Sequence, residues 1–241
     1  MQEKVSGVVL NVIKYNDRHN IAHVYTDRFG VLPVLVRQGS TPAARARNAM
    51  FAPLSLVEMV AVTRAGQDLA HVRDVKRTAL MLDLHTNPVK RAMALFLSEV
   101  VAKAVVEQER NEPLYLFLTQ SIRRLNDCRQ GVANFHLCFL YRLGRFVGIQ
   151  PDVATYAEGR RFDMDDGTFT AGITPGHRTL PPEHARAIYL LSRMTYDNMH
   201  RFRFTQDQRR LFLELILDYY RLHQSTLGSL RSLDVLKQLF F

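Results

Sequence analysis

The sequence predicts an α+β protein in which a small five-stranded β-barrel precedes an α-helical domain. Short runs of β-branched and apolar residues, separated by turn signals, fill the first 80 residues, as is typical of a small barrel. From residue 87 the apolar residues recur with helical spacing instead, which indicates amphipathic helices. We therefore expect two domains, with bounds at 1–80 and 81–241.

Five segments are predicted as strands: 5–15, 20–26, 31–36, 54–62 and 71–77. Gly30 ends a tight turn between the second and third strands, where glycine can adopt a positive φ. Pro33 removes a backbone donor from the third strand, so we expect an edge position or a bulge there. Segments 39–50 and 64–68 are predicted as loops. The five-stranded barrel of this size is the OB-fold.

The helical part begins at Asn87-Pro88, an N-cap followed by proline at the first helical position. Further helices are predicted at 111–126, at 132–146, from 182 and after Gly228, and the first of the series is expected to reach about residue 108. Thr205 and Gln208 have capping-box spacing and open a strong helix that ends near residue 223. The insertion 149–182 interrupts the helices and contains a predicted β-hairpin, 161–170.

The composition is that of a folded protein with an excess of positive charge. The chain has 241 residues, 47% apolar and 23% charged, and its 32 Lys and Arg against 23 Asp and Glu leave a net charge of +9. This balance favours an acidic partner, either nucleic acid or an anionic surface. No apolar run approaches the roughly 18 residues of a membrane span, and no signal-peptide pattern follows Met1. We therefore expect a cytoplasmic protein with no membrane partner.

Motifs for enzymatic chemistry are absent from the sequence. It contains no phosphate-binding glycine loop and no nucleophile elbow. With only Cys128 and Cys138, a four-cysteine zinc site is impossible. His19 and His23 share a strand face, but no third metal ligand is apparent. The sequence therefore predicts no catalytic residues, no cofactor and no metal.

A basic segment follows the second strand. Four arginines and no carboxylate lie between residues 28 and 57, and they are Arg28, Arg37, Arg45 and Arg47. Arginines on a flexible barrel loop can follow a phosphate backbone and release counterions. We expect Arg37, Arg45 and Arg47 to hold phosphates, with Lys14 and Arg28 beside them on the same barrel end. The alternative interpretation is that the charged loop is simply solvated.

Aromatic residues near this segment have two interpretations. Tyr15, Tyr25 and Phe29 could stack on nucleic-acid bases. For each one taken singly, packing in the barrel core is the favoured interpretation. In a second basic stretch, 200–204, arginines alternate with two phenylalanines, and solvated arginines between two packed rings are favoured there as well.

Arg142 and Arg145 are predicted three positions apart on the helix 132–146, beside Leu143 and Phe146. Such a pair suits an apolar pocket with a cationic rim, which could capture the end of an acidic, apolar peptide. An ordinary surface helix explains the same pattern. We therefore treat the two arginines as a candidate partner-binding site.

The order of these features resembles the bacterial recombination mediator RecO family. The segments that carry the resemblance are Val9-Leu10, Tyr15-Asn16-Asp17, Val24 to Gly30, Val36 to Ser40 with Arg45 and Arg47, Phe51 to Leu56, Phe135 to Gly148 and Leu230 to Asp234. Their order and spacing fit along nearly the whole chain.

The resemblance implies an OB-fold followed by a helical domain, with a non-catalytic role. It implies binding of single- and double-stranded DNA, annealing of complementary strands, and help to RecA in displacing single-strand-binding protein. RecR and the C-terminal tail of single-strand-binding protein are the implied partners, RecA is reached indirectly, and the implied location is the nucleoid in the cytoplasm. Many relatives carry a four-cysteine zinc module where this chain has residues 149–182, and none of those cysteines is present here.

Two rival functions remain at this point. One is a protein adaptor whose helical domain docks its partners while the barrel contributes little to DNA binding. The other is an RNA-binding OB protein of translation, which fits the barrel but leaves residues 88–241 without an explanation.

Overall fold

The computed structural model describes residues 2–62, 69–105 and 109–240, which form two compact units, Met1–Asp127 and Cys128–Phe241. Strands give way to helices near residue 80, where the sequence places the domain boundary, but the first helices belong to the same compact unit as the barrel. The predicted loop at 64–68 and the predicted end of a helix at 106–108 lie outside the described residues.

The first unit begins with five strands that close into a barrel. They are β1 Gln2–Lys14, β2 His19–Thr26, β3 Gly30–Arg37, β4 Leu56–Val62 and β5 Ala70–Arg77, in the order β1-β2-β3-β5-β4. All neighbours are antiparallel except β3 and β5. The five predicted strands and the OB-fold are thus confirmed.

Alternating residues of the strands point inward and form the barrel core, which includes Val5, Val9, Val24, Val34, Met59 and Ala61. Gly7 lies where β1 pairs with both β2 and β4. A Cβ at this position would collide with Val24 Cγ1, so glycine allows the strands to approach at this corner. Pro33 pairs with His23 of β2, whereas β5 pairs with β3 only at Val34 and Leu35. Pro33 therefore lies just beyond the described pairing with β5, but β3 is not an edge strand, because the barrel is closed.

Segment 39–50 is not the loop that the sequence predicts, because Pro42–Ala49 forms a helix, α1. Thr41 is its N-cap and accepts a hydrogen bond from the Ala44 amide at 3.2 Å, and Pro42 occupies the first helical position. These are strong helix-starting signals. Gly39 provides room for the helix, since a Cβ there would lie 2.8 Å from Ala44 Cβ.

The described part of the first unit contains three more helices: α2 Leu82–Thr86, α3 Pro88–Ala104 and α4 Glu112–Asp127. Helix α2 is absent from the sequence prediction. The predicted N-cap of α3 is confirmed, since the Asn87 side chain accepts from the amides of Val89 and Lys90. The Tyr25 hydroxyl donates to the Asn111 carbonyl at 3.4 Å and thereby joins the barrel to the start of α4.

The second unit contains α5 Phe135–Leu143, α6 Pro182–Arg193, α7 Gln206–His223, α8 Ser232–Phe240 and a three-stranded sheet of β6 Arg161–Asp163, β7 Thr168–Thr170 and β8 Thr179–Leu180. The hairpin of β6 and β7 and the capping box at Thr205 are confirmed. Helix α5 is shorter than the predicted helix 132–146, because it ends before Gly144. Strand β8, which pairs with β6, was not predicted. None of the described helices is both long and apolar enough to span a membrane.

Candidate nucleic-acid interface

One end of the barrel collects four of the five predicted DNA-binding residues. Lys14 ends β1 opposite Asn20, and Arg37 ends β3 opposite His19. Arg47 of α1 reaches the same strand end, where its guanidinium Nη2 donates to the Arg37 carbonyl at 3.3 Å. Arg45 of α1 is exposed to solvent. The helix therefore holds the two loop arginines in place, in contrast to the flexible loop that the sequence predicts.

Arg28 does not belong to this cluster, so the expectation of a shared barrel end is wrong for it. Arg28 lies in the turn between β2 and β3, at the opposite end of β2 from His19. Its guanidinium forms an ion pair of 3.3 Å with Glu3 at the start of β1. The eight residues of β2 separate Arg28 from the barrel end that carries Lys14 and Arg37. The sequence alone does not show this separation.

Lys14 remains available to a ligand although it has an ion-pair partner. Its ammonium lies 3.1 Å from the Asp17 carboxylate, with side chains 69% and 95% exposed. An exposed pair of this kind contributes little and is screened by salt. A phosphate that arrives at this barrel end can therefore replace Asp17 at small cost.

The three aromatic residues have different positions. Tyr25 is buried and Phe29 packs against the barrel core, so the core interpretation is confirmed for these two. Tyr15 is 61% exposed, and the core interpretation is wrong for it. Its position directly after Lys14 leaves its ring free to meet a base at the basic barrel end.

Further residues of this barrel end were missed at the sequence level. Arg18 is exposed in the turn between β1 and β2, and His19 lies directly across from Arg37. His71 pairs with Leu35 on the other side of β3. These residues are distant in sequence from the arginine segment, and only the strand register brings them to it.

The two arginines of the candidate partner-binding pair have different surroundings in the second unit. Arg142 belongs to α5, and its guanidinium donates to the Met194 carbonyl at 3.2 Å and lies 5.9 Å from the centre of the Tyr196 ring. Arg145 lies beyond the helix end and is exposed. Leu143 is fully buried, so it offers no wall for a surface pocket. Arg142 therefore has an internal role, while Arg145 is the accessible member.

The second basic stretch follows the interpretation that we favoured. Phe202 and Phe204 are half-buried and tilted against each other, and Phe204 packs edge-on against Phe212 of α7. Arg201 and Arg203 between them are exposed. The rings are therefore engaged in the fold and are poorly placed to stack on bases.

The insertion 149–182 contains one group of side chains with metal-ligating atoms close together, formed by Asp163, Asp166 and His177. The potential ligand atoms of Asp163 and His177 already form hydrogen bonds within the protein. Asp163 accepts from His177 Nδ1 at 2.9 Å and from the amides of Asp165 and Asp166 at 3.0 and 3.2 Å. The Asp163–His177 ion pair thereby connects the end of β6 to the segment that precedes β8.

The Asp163–His177 pair makes the stability of the second unit depend on pH. The hydrogen bond that His177 donates to the Asp163 carboxylate raises the pKa of His177. Burial raises the pKa of Asp163, but the hydrogen bonds from His177 and from the two amides outweigh burial and leave this pKa below its ordinary value. The contribution of the pair is thus complete between about pH 4 and 6.5. It is lost as pH rises through the raised pKa of His177 or falls through the lowered pKa of Asp163.

We expect His177→Gln to remove the alkaline part of this dependence, because glutamine cannot acquire the charge. The measurement is the difference in thermal unfolding midpoint between wild type and variant from pH 5 to 9, which should shrink as pH rises. The difference is needed because burial lowers the pKa of His136 to about 3 and gives that residue a pH dependence of opposite sign. His184→Gln is the matched control, and a His177→Gln profile parallel to wild type contradicts the assignment.

Comparison with known proteins agrees with the architecture. The family model described as "Recombination protein O N terminal" matches residues 1–81, and the one described as "Recombination protein O C terminal" matches residues 85–233. A DNA repair protein RecO from Bacteroides fragilis is 39% identical over 241 residues and one from Phocaeicola vulgatus is 38% identical over 241, with both chains covered completely in each case. A third, from Porphyromonas gingivalis, is 32% identical over 238 residues, with 97% of each chain covered. The resemblance seen in the sequence is confirmed, and the chain belongs to the RecO family of DNA repair proteins.

Proposed function

We propose that the protein is a DNA-binding recombination mediator without an active site. It binds single- and double-stranded DNA at the basic end of its barrel, through Lys14, Arg37, Arg45 and Arg47. The observation that carries the proposal is the convergence of these cations beside strands β2 and β3, the face with which OB-folds bind oligonucleotides. Tyr15 adds an exposed ring to the same surface.

Strand annealing follows from the charge of such a surface. Two complementary strands repel each other through their phosphates, and a fixed cluster of arginines that gathers both lowers this repulsion. No proton transfer or covalent step is needed. Arg28, at the other barrel end, meets only a strand long enough to follow β2 along its length.

The partners in this proposal are RecR, the C-terminal tail of single-strand-binding protein and, indirectly, RecA, all in the cytoplasm at the nucleoid. Exposed Arg145 is the residue suited to an acidic tail, with Arg142 holding the end of α5 in place through the Met194 carbonyl. The barrel of residues 1–80 serves DNA, and residues 81–241 serve protein partners. The metal-free insertion 149–182 belongs to this second part.

The test is fluorescence anisotropy of a labelled single-stranded oligonucleotide at several salt concentrations. We expect tight binding with a steep salt dependence. Replacement of Arg45 and Arg47 together by alanine should weaken binding to all sequences and reduce the salt slope by about one to two units, because each arginine neutralises roughly one phosphate. The same titration with duplex DNA tests the second substrate.

The matched control is Arg186→Ala with Arg193→Ala, which removes the same charge from exposed positions of α6. It should leave the salt slope at its wild-type value. Equal salt slopes for the wild type, the α1 variant and the control would contradict the assignment of Arg45 and Arg47 to phosphate binding. Absent or salt-insensitive DNA binding by the wild type favours the adaptor, which reaches DNA only through its partners. The adaptor function predicts that Arg145→Ala loses partner binding and that the α1 variant keeps it.

A further inference from the structure

A pocket of about 220 Å³ opens on the barrel beside the basic cluster. It is lined by His19, Leu35, Val36, Arg37, Arg47, Phe51, His71 and Val72. The strand register explains the convergence, because His19 lies across from Arg37 on one side of β3 and His71 across from Leu35 on the other. Helix α1 closes the pocket with Arg47.

Most polar side chains of the pocket make no hydrogen bond or ion pair within the described part of the chain. Among the residues that the structure describes, the side chains of His19, Arg37 and His71 have no hydrogen-bond or ion-pair partner. Arg47 is held by a single hydrogen bond to the Arg37 carbonyl, and its Nε is buried without a partner. Leaving a buried donor unsatisfied is costly, so this arrangement fits a ligand that accepts hydrogen bonds.

The charge of the pocket selects an anion with more than one negative charge. The two arginines supply two positive charges, and no carboxylate is among the lining residues that the structure describes. An internal phosphodiester of DNA carries one negative charge, whereas a phosphate monoester carries about 1.5 to 2 at neutral pH. The two histidines can each donate a hydrogen bond to phosphate oxygens whether neutral or protonated.

The shape of the pocket favours a group at the end of a strand. An internal phosphate must be followed by chain on both sides and suits an open groove, while a terminal phosphate enters a concave site from one direction. The half-buried side chains of Leu35 and Val72 give the adjoining nucleoside an apolar surface to pack on. Building on the DNA binding proposed above, we propose that this pocket receives the terminal phosphate monoester of a DNA strand.

The experiment compares three oligonucleotides of one sequence, carrying a 5′-phosphate, a 3′-phosphate or hydroxyl groups at both ends. We expect one of the phosphorylated strands to bind about tenfold more tightly than the hydroxyl strand, a difference of about 1.4 kcal/mol, because its terminal phosphate gains charge-assisted hydrogen bonds. Inorganic phosphate should compete away this preference. The variant His19→Ala with His71→Ala, which removes both donors, should reduce the ratio of affinities toward one, while His184→Ala should preserve it.

Each outcome has a separate meaning. If no oligonucleotide binds, the proposed DNA-binding function fails. If all three bind equally, or if both ends are preferred to the same extent and the double histidine variant keeps that preference, DNA binding stands and the terminal-phosphate site is overturned. If free deoxynucleoside monophosphate binds as tightly as the phosphorylated strand, the pocket is a mononucleotide site and the assignment to strand ends is likewise overturned.

Discussion

Replacing Lys90 with alanine should lower the free energy of unfolding of the first unit by about 3 to 5 kcal/mol. The Lys90 ammonium is almost fully buried, with its side chain 3% exposed, and lies 3.2 Å from the Asp83 carboxylate. It also donates to the Asn126 carbonyl at 2.6 Å. One side chain of α3 thereby ties α2 to the end of α4, and its removal leaves both acceptors without their donor.

The measurement is urea unfolding followed by circular dichroism, with hydrogen exchange of residues 82–127 to assign the loss to this unit. Lys103→Ala is the control on the same helix. Its ammonium lies 3.4 Å from Glu99 in a partly exposed pair, so about 0.5 kcal/mol or less is expected. Lys90→Met separates the lost charge from the lost volume. Similar losses for Lys90→Ala and Lys103→Ala would contradict the role given to Lys90.

Asp163→Ala should lower the free energy of unfolding of the second unit by about 2 to 4 kcal/mol. The Asp163 carboxylate is fully buried, and alanine would leave the amides of Asp165 and Asp166 and the ring of His177 without their acceptor. The segment that carries His177 would lose its side-chain contact with β6. Hydrogen exchange should therefore increase first in residues 161–180.

Asp166→Ala is the matched control, because its side chain is 62% exposed and 3.8 Å from His177. Asp163→Asn keeps an acceptor for the amides but removes the charge, so an intermediate loss is expected. Partner and DNA binding measured on the same variants shows whether the insertion serves more than stability. If Asp163→Ala unfolds at the wild-type denaturant concentration, the buried Asp163 carboxylate is not a stabilising element of this segment.

Most elements of the fold could be predicted because their signals are local. The alternation in 20–26, the N-cap at Asn87 and the capping box at Thr205 each act within a few residues, and all three are present in the structure. Helix α1 was missed although Thr41-Pro42 is also a local start signal, because eight residues rich in small side chains and arginines have a weak apolar pattern. Strand β8 has two residues and depends wholly on its pairing with β6.

The sequence predicted the positive charge of the candidate site but not the arrangement of its residues. The composition and the arginine segment already point to an anionic partner, since net charge and clustering are properties of the chain itself. The strand register was needed to separate Arg28 from Lys14 and to bring His19 and His71 to Arg37.

By itself, then, the sequence determined most of the strands and helices, the family and the chain's excess of positive charge. The tertiary structure decided which cations share a surface and which have an internal role, as with Arg142 at the Met194 carbonyl. The physical reason is that propensity and capping act along the chain, whereas a binding site depends on contacts between residues far apart in sequence, and only the folded chain establishes those contacts.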